Sequence, residues 1–441
     1  MAELFPYQKD GAAFLAAIGR GLLADEPGLG KTAQAIAAAV QTGARKILVI
    51  CPASVVENWR REIKRFDWAG YDVGRYRVES YNMASGRNRE FLQFIGYDCV
   101  ILDEAHFLKS KDAKRTQAIL GKRCDGKGGL VERAEHVFLL TGTPMPNHPG
   151  ELWPLLRAVM PDSIVGLKTG KPVAYWPFVM RYCQVENNYL GHPQIKGGKN
   201  LAELKKRIAP FYLRRKKSDV LPDLPELRTD LLALPAAAPA DPGRELRVRD
   251  GDRGCSLAGS AAELVREALE RGGIEALAAI APHVATLRRL TGVAKAGPVS
   301  EWVADQLDGG LQKLVIFAVH REVVQDIRNR LYKRYGVAVI EGGTTDRQTQ
   351  VDRFQNDPLV RVFIGQIQAA GTGITLTAAS DLVFAESSWV PTDNEQAAMR
   401  IHRIGQRNAC MVRFAMIPSS IDEQIAEACR RKLADIQAVF A

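Results

Sequence analysis

Two short stretches carry the residue types that chemistry on a phosphate needs. The first, Asp25-Glu26-Pro27-Gly28-Leu29-Gly30-Lys31-Thr32, stands between a short apolar run and an Ala-rich segment of helical pattern. Glycines at such a turn let backbone N–H groups approach an anion, and the N-terminus of the following helix adds positive potential. In that arrangement Lys31 reaches the β and γ phosphates of a nucleotide and the Thr32 hydroxyl holds Mg²⁺. Asp25 stands where the strict Walker pattern has its first glycine. Taken alone, the stretch therefore reads either as a phosphate loop or as a glycine-bearing turn from strand to helix. The second stretch is Asp103-Glu104-Ala105-His106, at the end of the apolar run Cys99 to Leu102. A carboxylate pair at the end of a parallel strand lies at the ligand-binding edge of its sheet, where Asp103 can enter the Mg²⁺ shell and Glu104 can orient a water. The competing reading is an acidic helix start beside a surface histidine. The upstream loop weighs against it.

Positioning these groups requires strands and helices in alternation, and the chain supplies them twice. In the first half, apolar runs at Leu22 to Ala24, Lys46 to Cys51, Cys99 to Leu102 and Val137 to Leu140 alternate with helices from Lys31 and Val55. The rhythm returns with Leu314 to Phe317, Val337 to Ile340, Val360 to Ile364, Leu382 to Phe384 and Met411 to Ile417, with helices from Arg321 and Asp346. Such runs, rich in Val, Ile and Leu, predict parallel sheets buried on both faces, hence an α/β fold of two lobes. Between the two halves, Pro161 to Asn200 is rich in Gly, Pro and aromatic residues and reads as an insertion. Pro235 to Gly254 holds the Ala/Pro stretch of an interlobe linker, with helical segments predicted at Ala261 to Arg271 and Ile274 to Leu290. The expected organisation is a first lobe over 1–231, a linker and helical segment over 232–290, and a second lobe over 291–441.

A chain of 441 residues suits two such domains. Its 46% hydrophobic and 25% charged residues are ordinary globular composition and exclude a disordered chain. The formal charge of +10 favours a polyanionic partner. The seven cysteines lie far apart, with no pair at zinc spacing, which predicts reduced thiols and no zinc site. No apolar run approaches a membrane span and the first residues lack a signal-peptide pattern, so no membrane partner is expected. The expected setting is cytoplasmic, in a prokaryotic cell or a phage-infected host.

Further stretches complete a recognisable series. They are Leu4-Phe5-Pro6-Tyr7-Gln8, the loop Asp25 to Thr32, Leu139 to Asn147 (LLTGTPMPN), the basic run from Lys205 to Lys217, Ala369 to Ala379 (AAGTGITLTAA) and Gln396 to Gln406 (QAAMRIHRIGQ). On these motifs the chain resembles the Swi/Snf-type ATPases of helicase superfamily two over nearly its full length, and Asp25 is typical of that family. Val315 to His320 and Thr375 to Ala379 look most like its annealing-helicase branch. The resemblance implies two RecA-like parallel-sheet lobes with a helical insertion and an interlobe linker. It also implies the use of ATP and Mg²⁺ to move along double-stranded or forked DNA, largely without reading sequence, and the chain is expected to act as a monomer. Gln8 would hydrogen-bond the adenine edge, and Gly28, Gly30 and Gly373 would let backbone approach the nucleotide.

Arg400 and Arg403, three residues apart, are expected on one helical face, where an always-charged guanidinium can neutralise a γ-phosphate. The basic run reads, without the family, as an aromatic-bearing surface suited to phosphates or as a solvated helix face. Two other readings stand beside the translocase. One is a strand-separating helicase, which the basic segment Leu213 to Pro222 disfavours. The other is an ATP-gated DNA clamp that does not move, against which Lys31, Glu104 and Arg403 argue.

Overall fold

The computed structural model describes residues 3–440 except 143, 167–168, 188–192, 236–280, 372 and 419. The described chain divides into two compact units, residues 1–223 with 432–441, and residues 224–431. Each is built on a six-stranded sheet in which every neighbouring pair is parallel. The α/β expectation is borne out.

The first sheet has the order β3-β2-β4-β5-β1-β8. Its strands are β1 (Arg20–Leu23), β2 (Ile47–Cys51), β3 (Tyr76–Ser80), β4 (Cys99–Asp103), β5 (His136–Leu140) and β8 (Tyr212–Leu213). Ile47-Leu48-Val49-Ile50-Cys51 is buried at every position, as expected of a strand covered on both faces. On one face Leu48, Leu102, Leu139, Trp153 and Leu156 form a core; on the other Ile47, Val49, Ile101 and Phe138 pack with Leu15 and Ile36. Leu15 and Ile36 belong to helices α1 (Pro6–Ile18) and α2 (Lys31–Gln41). The predicted insertion holds a helix, Tyr175–Tyr182, and an antiparallel hairpin of β6 (Cys183–Asn187) with β7 (Pro193–Gly198) that the sequence did not announce.

The second sheet has the order β11-β12-β10-β13-β14-β9. It is formed by β9 (Leu227–Ala233), β10 (Leu314–Ala318), β11 (Val337–Ile340), β12 (Val362–Gln366), β13 (Asp381–Phe384) and β14 (Cys410–Met416). Phe317, Phe363 and Phe384 fill one face, while Leu314, Ile316, Val362 and Val383 fill the other.

The expected boundaries need two corrections. Residues 224–231 were placed with the first lobe, yet β9 pairs along its length with β14, so this stretch belongs to the second unit. The last ten residues, assigned to the second lobe, belong to the first, where Ile436 and Val439 are buried in the core and Asp435 accepts a hydrogen bond from the Gly198 amide at 3.0 Å. The linker's Ala/Pro stretch and the helix expected over Ala261 to Arg271 lie outside the described residues. The helix expected from Ile274 to Leu290 is described from Ala281, where it opens a helix reaching Asp308.

Candidate functional site

The first sheet's order sets β4, β5, β1 and β8 side by side, so their carboxyl ends share one edge. That edge is where open parallel sheets bind ligands. Asp103 closes β4, Thr141 follows β5, the loop Asp25 to Gly30 follows β1, and Arg214 and Arg215 follow β8.

The loop has the backbone its glycines were expected to permit, with φ of +97° at Gly28 and +70° at Gly30. A Cβ at Gly30 would also stand 2.3 Å from Gln8 Nε2. Gly142 of the LTGTP stretch is equally confined, since a Cβ there would come within 2.9 Å of two carbons of the Pro27 ring. Gly142→Ala is therefore expected to cost about 1–3 kcal/mol through overpacking and to weaken nucleotide binding by displacing the loop. Unchanged melting and unchanged ATP affinity by calorimetry would show that Pro27 yields freely.

Lys31 and Thr32 open α2, both half-buried. The Lys31 ammonium donates to the carbonyls of Asp25 at 2.6 Å and Glu26 at 3.3 Å. Burial holds its pKa below the ordinary lysine range, with Glu104, Asp25 and Asp103 pulling the other way and Arg214 adding to the depression. The lysine is thus a strong donor resting on neutral carbonyls, which an incoming phosphate can replace.

Asp103 accepts from Trp59 Nε1 at 2.7 Å and from the Glu104 amide at 3.0 Å. Burial and then the neighbouring Glu104 push its carboxyl up to about 6. Glu104 takes a left-handed backbone, φ +50°, uncommon for a residue with a side chain. Its carboxylate lies 3.3 Å from His106 Nδ1 and 3.5 Å from Thr141 Oγ1, and His106 Nδ1 and Thr141 Oγ1 are 3.0 Å apart. The acidic pair is thereby tied to the LTGTP stretch, and His106 is a member of the cluster rather than a surface histidine.

Gln8 is buried, its amide donating to the Leu29 carbonyl at 3.3 Å and its oxygen accepting from the Phe5 amide at 3.1 Å. Asp25 is fully buried and its carboxylate is held by Arg215 and Gln34. Among the expected nucleotide contacts it is a support of the loop. The basic run is only in part the surface expected of it: Lys206 and Lys216 are exposed, while others of its cations turn inward. Arg215 turns onto Asp25, Arg207 donates to the Val165 carbonyl at 2.9 Å, and Lys217 is buried with its amide on Glu26 Oε2 at 2.8 Å.

In the second unit, the helix carrying Gln396 ends at Ala398, so Arg400 and Arg403 do not share a helical face. Met399 caps that helix and the chain then turns, which separates the two guanidinium groups in role. Arg400 is buried and donates to the carbonyls of Gly371 at 2.9 Å and Ile374 at 3.4 Å, bracing the loop that contains Gly373, whose φ is +78°. His402 and Gln406 are buried too: His402 Nε2 meets the Pro225 carbonyl at 2.7 Å, and the Gln406 amide nitrogen donates to the carbonyls of Ala379 and Ile401. Arg403 stays half-exposed, donating to the Met399 carbonyl and to Thr375 Oγ1. Thr372 lies outside the described residues.

Comparison with known proteins agrees with this arrangement. Residues 7–76 and 69–238, more than half the chain, match the SNF2-related domain, and residues 302–405 match the helicase conserved C-terminal domain. The chain belongs to the SNF2-related family. Among relatives, the human DNA annealing helicase and endonuclease ZRANB3 is 29% identical over 448 residues, covering 96% of this chain and 39% of that protein. The Caenorhabditis elegans homolog of SWI/SNF-related matrix-associated actin-dependent regulator of chromatin subfamily A-like protein 1 is 31% identical, covering 98% of this chain and 61% of that protein. This SNF2-related chain therefore spans less than two thirds of the length of either relative. The motifs of its sequence do not include Trp59 or Tyr81, and Arg215 stands in them only as a member of the basic run. Trp59 and Tyr81 secure Asp103, Tyr81 by donating its hydroxyl to the Asp103 carbonyl at 2.8 Å. A buried Trp needs an N–H acceptor, which is the signal that points from Trp59 to a carboxylate.

Proposed function

We propose that this chain hydrolyses ATP to drive its movement along double-stranded DNA, and that it rewinds or remodels forked DNA. The observation that carries the reading is the meeting of Lys31, Asp103, Glu104 and Thr141 on one sheet edge in a chain of the SNF2-related family. Lys31 leaves the loop carbonyls for the β and γ phosphates, the amides around Gly28 and Gly30 cradle them, and Gln8 meets the adenine edge. Glu104 orients the attacking water, with His106 and Thr141 holding its carboxylate. The donors present fit Mg²⁺, which takes hard oxygens from one or two carboxylates and from phosphates rather than a full protein cage. Among the described residues no cluster of three or more His, Cys, Asp or Glu forms such a cage. Thr32 and Asp103 would hold the ion, which when bound neutralises charge on the phosphate oxygens.

Relatives named as DNA annealing helicases support the rewinding activity. The charge of +10 supports a duplex contacted through its phosphates without sequence preference. We place the protein in a cytoplasm, acting as a monomer; the six cysteines among the described residues are free thiols, which fits a reducing compartment. No described helix is long and apolar enough to cross a membrane.

The deciding experiment pairs DNA-stimulated ATP turnover with displacement of a third strand from a triplex and with annealing of a fork. ATP-dependent displacement without separation of a plain duplex is the expected result. Separation of that duplex would replace the proposal with a strand-separating helicase, and turnover without displacement would replace it with a clamp.

A further inference from the structure

We propose that Asp25 and Arg215 form a positioning brace that sets helix α1 against the phosphate loop, so that ATP affinity and adenine preference depend on this buried pair. The inference rests on the reading that the Lys31 loop binds ATP. Asp25 lies at the carboxyl end of β1, where Oδ1 accepts from the Arg215 amide at 3.0 Å and from Arg215 Nε at 3.1 Å. Its Oδ2 accepts from a terminal nitrogen of Arg215 at 2.5 Å and from Gln34 Nε2 at 3.1 Å. The same terminal nitrogen donates to Gln34 Oε1 at 2.7 Å, and the other donates to the Tyr7 carbonyl. The guanidinium also lies over the Tyr7 ring, 5.4 Å from its centroid. One side chain thus joins four parts of the chain: α1 through Tyr7, the loop through Asp25, α2 through Gln34, and the segment after β8.

Two independent features show that this junction is built to hold α1 close. Gly11 sits inside α1, where helices disfavour glycine. A Cβ there would stand 1.8 Å from Gln34 Oε1 and 2.6 Å from the Arg215 terminal nitrogen, so the junction itself requires the glycine. On the residue after Tyr7, Gln8 reaches the loop through the Leu29 carbonyl, and Gly30 leaves room for its amide. The loop is fastened from the far side as well, its Glu26 amide on the Arg215 carbonyl at 3.2 Å and its Glu26 carboxylate on the Lys217 amide. Phosphate-side and adenine-side residues therefore share one anchor. The planar fork of arginine is needed for it, because a lysine ammonium cannot meet both carboxylate oxygens and two further acceptors at once.

A brace that only holds the fold together would lower melting without changing how the folded enzyme handles ATP; a positioning brace changes the nucleotide constants. The test measures kcat and KM for ATP and for GTP at saturating DNA, with melting of the nucleotide-free chain alongside, for Arg215→Lys, Asp25→Asn and their double variant. Each single change is expected to raise KM for ATP about tenfold or more while kcat at saturation falls less than about threefold, because uniform binding is what is lost. Preference for ATP over GTP should narrow. The double variant should be no worse than the more affected single, as coupled partners of one interaction behave. Gly11→Ala keeps both charges while crowding Gln34 and Arg215, and it should move KM in the same direction if Arg215→Lys does not fold. Folded variants whose KM and base preference stay within about twofold of wild type would overturn the inference, provided Lys31→Ala abolishes ATP binding. Should Lys31→Ala bind ATP as wild type does, the nucleotide-site reading falls and the inference with it.

Discussion

Glu104→Gln is expected to bind ATP within a few-fold of wild type and to lower DNA-stimulated turnover by about 10²–10⁴, the usual worth of a positioned proton acceptor. Glutamine keeps the shape and the contacts to His106 and Thr141, and an amide accepts the Thr141 hydroxyl as a carboxylate does. What it removes is the charge that, in the proposed mechanism, orients the water and takes its proton. The left-handed backbone at position 104 is set by the turn between β4 and the short helix Ala105–Leu108, and it is the same for either side chain. Melting of the nucleotide-free variant should therefore match wild type or exceed it slightly, since a neutral residue relieves the repulsion that, after burial, raises the pKa of Asp103. Calorimetry with ATP beside a steady-state turnover assay separates the two outcomes. Turnover within a few-fold of wild type would remove Glu104 from the chemistry.

The parts of this fold that were legible in the sequence are those whose burial is two-sided. Runs such as Ile47 to Cys51 and Leu314 to Ala318 are apolar at every position because helices cover both faces of their sheets. In the two six-stranded sheets, the strands that the sequence does not announce, β3, β8 and β9, lie at sheet edges. Tyr76-Arg77-Val78-Glu79-Ser80 has one neighbour strand and only Glu79 buried, Tyr212-Leu213 is two residues long, and Leu227 to Ala233 is largely exposed. An edge strand is fixed by the backbone pairing offered to it, which leaves little trace in side-chain type. The boundary errors follow from the same cause. β9 is assigned by its partner β14, and the final residues by a core that Ile436 and Val439 enter from far along the chain.

At the candidate site, positions set by local spacing are legible in the sequence and contacts set by long-range pairing are not. Gly28, Gly30, Lys31 and the Asp103–Glu104 pair lie within loops whose motif fixes their geometry. Trp59 reaches Asp103 across 44 positions and Arg215 reaches Asp25 across 190, separations that a single sequence does not connect. Charge does not by itself imply exposure. Arg215, Lys217 and Arg400 are all cations of recognisable motifs and none stands out in solvent: the Arg215 and Arg400 guanidinium groups are spent on carboxylate and backbone partners, and Lys217 is buried.

That distinction separates the two arginines of the last motif and sets the second large expected effect. Arg403→Ala should lower DNA-stimulated ATP turnover by about 10³ or more, the contribution of an arginine that neutralises a transferring phosphoryl group. Its guanidinium is half-exposed, with Nε on the Met399 carbonyl at 3.1 Å and one terminal nitrogen on Thr375 Oγ1 at 3.2 Å. These contacts orient the group without enclosing it. Removing it should leave melting, ATP affinity and DNA affinity at one fixed salt concentration close to wild type. Arg403→Lys should recover little, because an ammonium lacks the planar fork. Arg400→Ala should differ in kind: its side chain is buried and its donors hold the Gly371 and Ile374 carbonyls, so its loss leaves buried acceptors unpaired and melting should fall together with turnover. The comparison to run is turnover against melting for Arg400→Ala, Arg403→Ala and Arg403→Lys. If Arg403→Ala hydrolyses ATP within a few-fold of wild type, the residue is surface charge and the terminal phosphate is neutralised by other groups.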